Sequence, residues 1–442
     1  MSALLFAVFQ PVQALTLAYL VGWLALPMYR IPIQGFLDID KVMATNLGVI
    51  LGVALFWHRR IGEYKANAAD GLLVVFAIST CVTSLVNGLG AHDGLSSFAH
   101  KILYIAVPFG FGRVFIRDGR DLIQSSRIVI YGAAIYAVAA IWEWRMSPNI
   151  HLTLYGFFQH AWGQHYRWGF FRPIVCFPHA LGLGVFMAWT SLLAVWLWRH
   201  KQFRAPFGIP SAAVVALPLV GLLTSMSAGP WALFLGGLGL LVWWQRSHRR
   251  WIVLLPTLAA LAWMVGRYTE LTDGAWMTSA VARVSAERAA SLEYRIDAET
   301  KLLGRAKQRP VFGWGGWGRN RVTNEAGRDL AATDGRWIAF IGSFGLMGLS
   351  IFYAWWCWPL LMCQNSGRWL ERDPALMAVL ITIGLQAVNF LFNGFLSPIL
   401  TVLCGGAVTR LGSLQREALA RRRWVAAGAA AHGPAPYIGQ SR

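Results

Sequence analysis

Long apolar runs recur from one end of the chain to the other, separated by short stretches rich in charge, proline or aromatic residues. About 20 apolar residues in an α-helix cross the roughly 30 Å of hydrocarbon in a bilayer. Inside lipid a helix also satisfies its own backbone hydrogen bonds. The runs predict helices near 4–27, 43–57, 71–90, 98–116, 128–144, 179–198, 209–226, 229–245, 251–267, 335–363, 375–393 and 397–410. The second is short, and the turns at 226–229 and 393–397 are tight. The expected fold class is all-α: a polytopic membrane protein with about 12 transmembrane helices and a large loop between helices 9 and 10. The expected organisation is a membrane domain over 1–268, a polar loop over 269–333, a second membrane part over 334–410 and a basic tail over 411–442.

Composition supports the lipid-embedded reading. Of the 442 residues, 56% are hydrophobic and 13% charged, against about 25% charged in soluble domains. The N-terminal run from Leu4 to Pro27 has no basic segment before it and is long enough to span, so it reads as a first helix, not a removable signal. Cys81, Cys176, Cys357, Cys363 and Cys404 lie in or beside apolar runs, without zinc or disulfide spacing.

The net charge of +19 invites a nucleic-acid reading, but its distribution argues against nucleic acid as a partner. With the N-terminus in the cytoplasm, 21 of the 39 Lys and Arg residues fall in inner loops and the C-terminal end, and 6 in short outer loops. The other 12 lie in the long segment from Arg267 to Arg336, where charge has little topological weight. The positive-inside rule then puts both termini in the cytoplasm and the 269–333 loop outside. The tail, with Arg421, Arg422 and Arg423 followed by an Ala/Gly/Pro run, is expected to be disordered and to touch anionic lipid.

Two outward segments carry the informative residues. The first, 145–178, is dense in aromatics and cations, among them Phe157, His160, Trp162, His165, Arg167, Trp168 and Arg172. It suits an interfacial anchor or a wall beside a lipid-linked substrate. The second opens with a helix-like stretch from Ala280 to Lys307 that carries Arg288, Arg295 and Arg305 among acids. Pro310-Val311-Phe312-Gly313-Trp314-Gly315-Gly316-Trp317-Gly318 follows, and its formal GxGxxG lacks the strand that would make it a nucleotide fingerprint. The chain then re-enters the apolar run at Asp334-Gly335-Arg336-Trp337. Asp334 reads either as a helix cap or as a functional acid at a helix mouth.

This order of features resembles the O-antigen ligase and Wzy-type polysaccharide polymerase superfamily. The resemblance rests on the loop between the ninth and tenth helices and on Pro310 through Gly315. It rests also on Asp334 followed eleven residues later by Gly345-Leu346-Met347-Gly348, and on Arg172-Pro173 leading to Pro178-His179. It covers roughly 170–350. Ligases carry histidine where this chain has Asp334, which makes the chain more similar to the polymerases. A second departure is Ser227-Ala228-Gly229, where the family often reads Ser-Arg-Gly. An arginine that would hold the donor pyrophosphate is absent at Ala228, with Arg167 or Arg172 as substitutes.

The resemblance implies a glycosyltransferase at the outer leaflet of the bacterial inner membrane. It would move a glycan from undecaprenyl diphosphate to another lipid-linked repeat unit. Arginine suits the leaving pyrophosphate because its planar fork binds phosphate oxygens bidentately. The residues implied are Asp334 as general base and Arg295, with Arg172, Arg288 and Arg336, on the pyrophosphate. Trp314 and Trp317 are implied as glycan platforms. No DxD-like motif occurs in the outer loop, so no metal and no cofactor are expected. The expected partners are the lipid-linked glycan, membrane lipids, a flippase and a chain-length regulator. A ligase with another acceptor is the near alternative. A lipid-linked glycan flippase is the alternative of another class, although the chain shows no internal repeat and few charges within the spans.

Overall fold

The computed structural model describes residues 2–35, 37–366 and 373–431, with side chains to 420. Its elements are helices α1 (Ser2–Val8), α2 (Pro11–Ala25), α3 (Lys41–Gly52), α4 (Ala68–Val86), α5 (Ala91–Lys101), α6 (Val107–Phe115) and α7 (Gly119–Met146). There follow α8 (Ile150–Tyr155), a hairpin of β1 (Tyr166–Arg167) and β2 (Phe170–Phe171), then α9 (Ala180–Arg199), α10 (Ser211–Thr224), α11 (Ala228–Ser247) and α12 (Leu255–Tyr268). The chain continues through α13 (Ala275–Ala282), α14 (Ala286–Lys307), α15 (Arg336–Gln364), α16 (Pro374–Phe392) and α17 (Pro398–Ala431).

Seven helices among the described residues are long and apolar enough to cross a membrane: Lys41–Glu63, Ala68–Val86, Gly119–Met146, Ala180–Arg199, Arg250–Tyr268, Arg336–Gln364 and Pro374–Phe392. Helices also occupy the other five expected segments, but these are short, interrupted or less apolar. The expected helix at 4–27 is divided, because Gln10 turns extended (φ −60°, ψ 151°) before Pro11. A residue preceding proline is disfavoured in the helical region, and the ring supplies no N–H to continue the ladder. At the other end the last helix does not stop near 410; it continues to Ala431, so 411–431 is helical, not coil. Residues 432–442 of the expected tail, and Arg368 and Arg372 of an expected inner loop, lie outside the described residues.

The pattern of burial is that of a protein in lipid. α4 buries Ser79, Thr80, Thr83 and Ser84 while exposing Val74, Val75, Ile78, Leu85 and Val86. In water this arrangement places apolar surface on the outside for no gain. In lipid the exposed branched chains are solvated, and the hydroxyls of Ser79, Thr80 and Ser84 bond back to their own helix, as Thr80 Oγ1 does to Ala77 O at 2.8 Å. α9 and α16 form the centre, with nearly every side chain from Leu183 to Leu197 and from Ala375 to Ile383 buried. The molecule is a multi-pass helical membrane protein.

Contacts between connecting segments fall into two groups. At one end Arg113 pairs with Asp70, Arg127 Nε donates to Gln202 O at 2.6 Å, Arg250 Nη1 to Gln364 O at 2.7 Å, and Arg410 pairs with Asp373 at 2.8 Å. At the other, Lys41 Nζ donates to Trp23 O and Cys176 O at 2.9 Å each, and Arg167 to Met226 O at 3.0 Å. Arg295 reaches Phe392 O at 3.1 Å, and Arg319 pairs with Asp93 at 2.7 Å.

α15 explains two of the sequence motifs together. Its backbone leaves the helical region at Gly345 (φ 65°, ψ −169°). The loop 310–315 enters this break and supplies the missing bonds. Trp314 N donates to Gly342 O and Gly315 N to Ser343 O, each at 2.9 Å. In return Leu346 N donates to Pro310 O at 2.8 Å and Met347 N to Val311 O at 3.2 Å. A Cβ on Gly345 would collide with the Val311 carbonyl, and one on Gly313 would lie 2.6 Å from Gly345 N. Both glycines have positive φ as well, so the two motifs are halves of one contact.

Gly345→Ala is therefore expected to cost ~2–5 kcal/mol, from strain plus overpacking. Gly304→Ala, at an exposed helical position on α14 with open space around it, is expected to add ~1 kcal/mol. Thermal unfolding of the two purified variants checks the pair; a Gly345→Ala protein as stable as the wild type would contradict the plugged-break account.

Candidate anion-binding site

Four elements bring arginines to one place. Glu143, in the last turns of α7, accepts from Ile174 N and Val175 N at 2.8 Å and from Ile150 N at 3.0 Å. This carboxylate, visible in the sequence as a charge near a span end, is the clamp that holds the segment after Arg172. The β1–β2 hairpin pairs Tyr166 with Phe171 and turns through Trp168 (φ 53°) and Gly169 (φ 80°). Its tip carries the Trp168 ring to the Arg288 guanidinium, 4.8 Å away. On the far side α14 holds Arg288 and Arg295 about two turns apart.

α14 is itself pinned from below. Arg267, at the end of α12, pairs with Glu299 at 2.7 Å, both side chains buried. The same guanidinium donates to Thr272 O, Asp273 O, Ile296 O and Thr300 Oγ1. Trp337 Nε1 on α15 donates to the other Glu299 oxygen at 3.1 Å. Burial pushes the Glu299 carboxyl up, and its bonds to Arg267 and Trp337 oppose that shift.

Arg172 is 5% exposed. Its Nη2 donates to Ser227 Oγ at 2.9 Å, its Nη1 to Gln164 O at 3.4 Å, and its Nε is buried without a partner. Burial, and then the charges of Arg167, Arg288 and Arg295, lower it to about 9. Arg167 is lowered by burial and by Arg288 and Arg295, with Glu287 opposing. Glu287 meets Arg288 Nη2 at 3.3 Å from a largely exposed position, while Arg288 Nε is buried without a partner. Three histidines border the group: His165 Nε2 lies 3.3 Å from His160 Nδ1, and the rings of His160 and His179 are 4.6 Å apart. Burial lowers His165, which keeps it neutral. His179 Nδ1 is engaged as the α9 cap, accepting from Leu181 N at 2.9 Å.

Of the expected pyrophosphate ligands, Arg172, Arg288 and Arg295 lie close enough for their charges to act on one another and on Arg167. Next to Ala228, Arg172 donates to Ser227 Oγ and Arg167 to Met226 O. Arg336 stands apart. It donates to Gly394 O, lies over Phe340 and Phe390 at 5.3 and 5.2 Å, and is turned toward Lys101. Asp334 does not cap α15, whose N-cap is Gly335. Its carboxylate is exposed, and among the described residues it makes no hydrogen bond. It shares with Arg295 the lining of a narrow cleft of about 20 Å³ between α14, α15 and the end of α16, enough for a water but not a sugar. Trp314 is not open to a glycan: Arg305 and Arg309 lie over its ring at 3.4 and 4.1 Å, and its Nε1 donates to Arg305 O. Trp317 is 56% exposed and lines a separate cavity. The sequence offered Arg167, with Arg172, as a stand-in for the arginine absent at Ala228; the proximity of His165 and Ser227 to them is a product of chain crossings that no local pattern encodes.

No protein-family model and no curated protein matches this chain. What the fold and the site define is a class: a multi-pass helical membrane protein with a cluster of arginines at one end.

Clustering four cations costs folding energy that a bound polyanion returns. Inorganic pyrophosphate is expected to raise the melting temperature of the detergent-purified protein, less so at higher salt. Arg172→Met is expected to raise stability without the anion and to shrink the pyrophosphate shift at least severalfold. An unchanged shift in that variant would remove Arg172 from the site.

Proposed function

We propose that this protein is a polysaccharide polymerase, transferring a lipid-diphosphate-linked glycan onto another lipid-linked repeat unit. The observation that carries the reading is the meeting of Arg167, Arg172, Arg288 and Arg295, two of them with buried guanidinium nitrogens that have no partner. Such a site is built for a polyanion, and a pyrophosphate ester is the polyanion a membrane glycosyl donor carries. In this reading about twelve segments cross the inner membrane of a bacterium, with both termini in the cytoplasm and the cleft on the outer face. The inner-loop excess of cations supports that orientation.

The chemistry uses the residues as follows. An acceptor hydroxyl attacks C1 of the donor sugar, forming the new glycosidic bond as the C1–O bond to the pyrophosphate breaks. The exposed Asp334 carboxylate takes the hydroxyl proton. The lipid diphosphate leaves with the electron pair of that bond, and the charge that develops on it faces Arg295 and Arg172. Preorganised guanidinium groups in a poorly hydrated cleft stabilise that charge more than water does, because they need no reorganisation as it forms. No step needs a metal or a cofactor in this scheme.

Asp334→Ala and Arg295→Ala are each expected to abolish high-molecular-weight polymer, with a rate loss of about 10²–10⁴-fold, while inserting normally in the membrane. Gel analysis of polymer from cells carrying each variant checks this; normal chain length from both would refute the assignment. Transfer to a lipid A-core acceptor in place of a repeat unit, measured in the same gels, would make the protein a ligase.

A further inference from the structure

A cavity of about 560 Å³ opens beside the arginine cleft, between the loop before α3, α5, the 316–317 turn and α15. Its volume is in the range of small-ligand sites. The first turns of α15 divide the two spaces. Asp334, Gly335 and Ile338 line the arginine side. Ala339, Phe340, Ser343 and Phe344 line the cavity. Asp334 stands two residues before α15, and Phe340 lies about 6 Å along the axis from its first residue, Arg336, so a short glycan held in the cavity can bring a hydroxyl to Asp334.

The charges in the cavity are unevenly used. Asp40 is taken up as the α3 cap, accepting from Val42 N and Met43 N at 2.9 Å. Asp93 is held by Arg319 at 2.7 Å and Ser84 Oγ at 2.7 Å. Arg30 and Asp38, one of each sign, are exposed lining residues, so the charge that stands within the cavity without a partner is that of Lys101. Lys101 Nζ lies over the Phe344 and Phe340 rings at 5.0 and 5.7 Å, and among the described residues it has no hydrogen bond and no ion pair. His100 Nδ1 is buried without a partner, and its ring stacks on Tyr104 at 4.0 Å. Arg336 Nε, close enough for its charge to act on Lys101, is buried without a partner too. Trp317 meets the His100 ring edge-on and presents an open aromatic surface at the mouth. An unpaired ammonium in an aromatic-lined cavity calls for an anion, and an exposed indole suits the C–H face of a sugar ring.

We propose that this cavity binds the acceptor glycan through a sugar bearing an anionic group, with Lys101 as the counter-ion and Trp317 as the stacking surface. The proposal rests on the glycosyl-transfer reading and adds to it the place and charge class of the acceptor.

The test uses the full chain in nanodiscs, with D-glucuronate, D-glucose and inorganic pyrophosphate as probes in ligand-observed NMR competition. Glucuronate is expected to bind about tenfold or more tightly than glucose. Lys101→Met, which keeps the contact with the phenylalanine rings, is expected to erase that preference without weakening pyrophosphate. Lys101→Arg is expected to retain it. Arg172→Met is expected to do the reverse, losing pyrophosphate and keeping glucuronate. Equal binding of the two sugars, or a preference unaltered in Lys101→Met, overturns the proposal. So does displacement of glucuronate by phosphatidylglycerol in the nanodisc, which makes the anion a lipid headgroup. Pyrophosphate binding untouched by Arg172→Met, with glucuronate still dependent on Lys101, sinks the donor reading and leaves the cavity as an anionic-sugar site.

Discussion

The buried pair of Arg267 and Glu299 is the contact on which the arginine-bearing end of the molecule depends. An ion pair removed from water is held only if its remaining hydrogen-bonding capacity is met. Here four further acceptors take the guanidinium, and the Trp337 indole takes the second carboxylate oxygen. The result ties three helices together: the end of α12, the middle of α14 and the start of α15. α14 has a largely polar surface, and Glu299 is buried among its apolar residues Ile296, Ala298, Leu302, Leu303 and Ala306. Its arginines are therefore positioned by Glu299, one turn from Arg295 on the same helix. Removing one partner of such a pair costs about 3–5 kcal/mol, and here it also releases the wall of the cleft.

A second constraint acts on α15. The helix is broken at Gly345, and the loop that ends the polar segment supplies the bonds the break leaves open. The glycines on the two sides allow the backbones to approach within contact distance. The ends of the 308–335 connection are thereby fixed to the same helix, one at its broken middle and the other at its start. Asp334, the exit from that connection, is held relative to α14 without needing a bond of its own. A carboxylate left free in this way retains its capacity to accept a proton from a ligand.

The electrostatics of the two spaces differ in kind. Among the arginines the positive charges lie on α14 and on the segment of the β1–β2 hairpin and repel one another, so the cluster stores energy that an anion releases. In the cavity Asp40 is engaged by helix capping and Asp93 by Arg319, Asp38 and Arg30 are exposed, and Lys101 is the group without a partner. α15 stands between them and presents a different set of residues to each. In the glycosyl transfer proposed above, such a division keeps the two lipid-linked substrates apart.

Much of the architecture was legible in the residues. The apolar runs located helices in every expected segment, because a lipid-embedded helix must be apolar over most of its length. The proline at position 11 was equally visible, yet the hydropathy of 4–27 concealed the break that its missing N–H imposes. Basic residues after 410 suggested a coil, but Leu411 and Leu414 are buried and carry the helix onward. Local patterning also marked the arginines at 172, 288 and 295 and the acid at 334. It did not show that Arg167 and Arg172 reach Met226 and Ser227, that Arg336 turns away, or that Trp314 is covered by Arg305 and Arg309. The sequence by itself determined the helical, lipid-embedded class, since hydropathy is a property of consecutive residues. Only the tertiary structure decided which cations share a cleft, because partners separated by tens to hundreds of residues are chosen by how helices cross and loops close, and neither is encoded in any one segment.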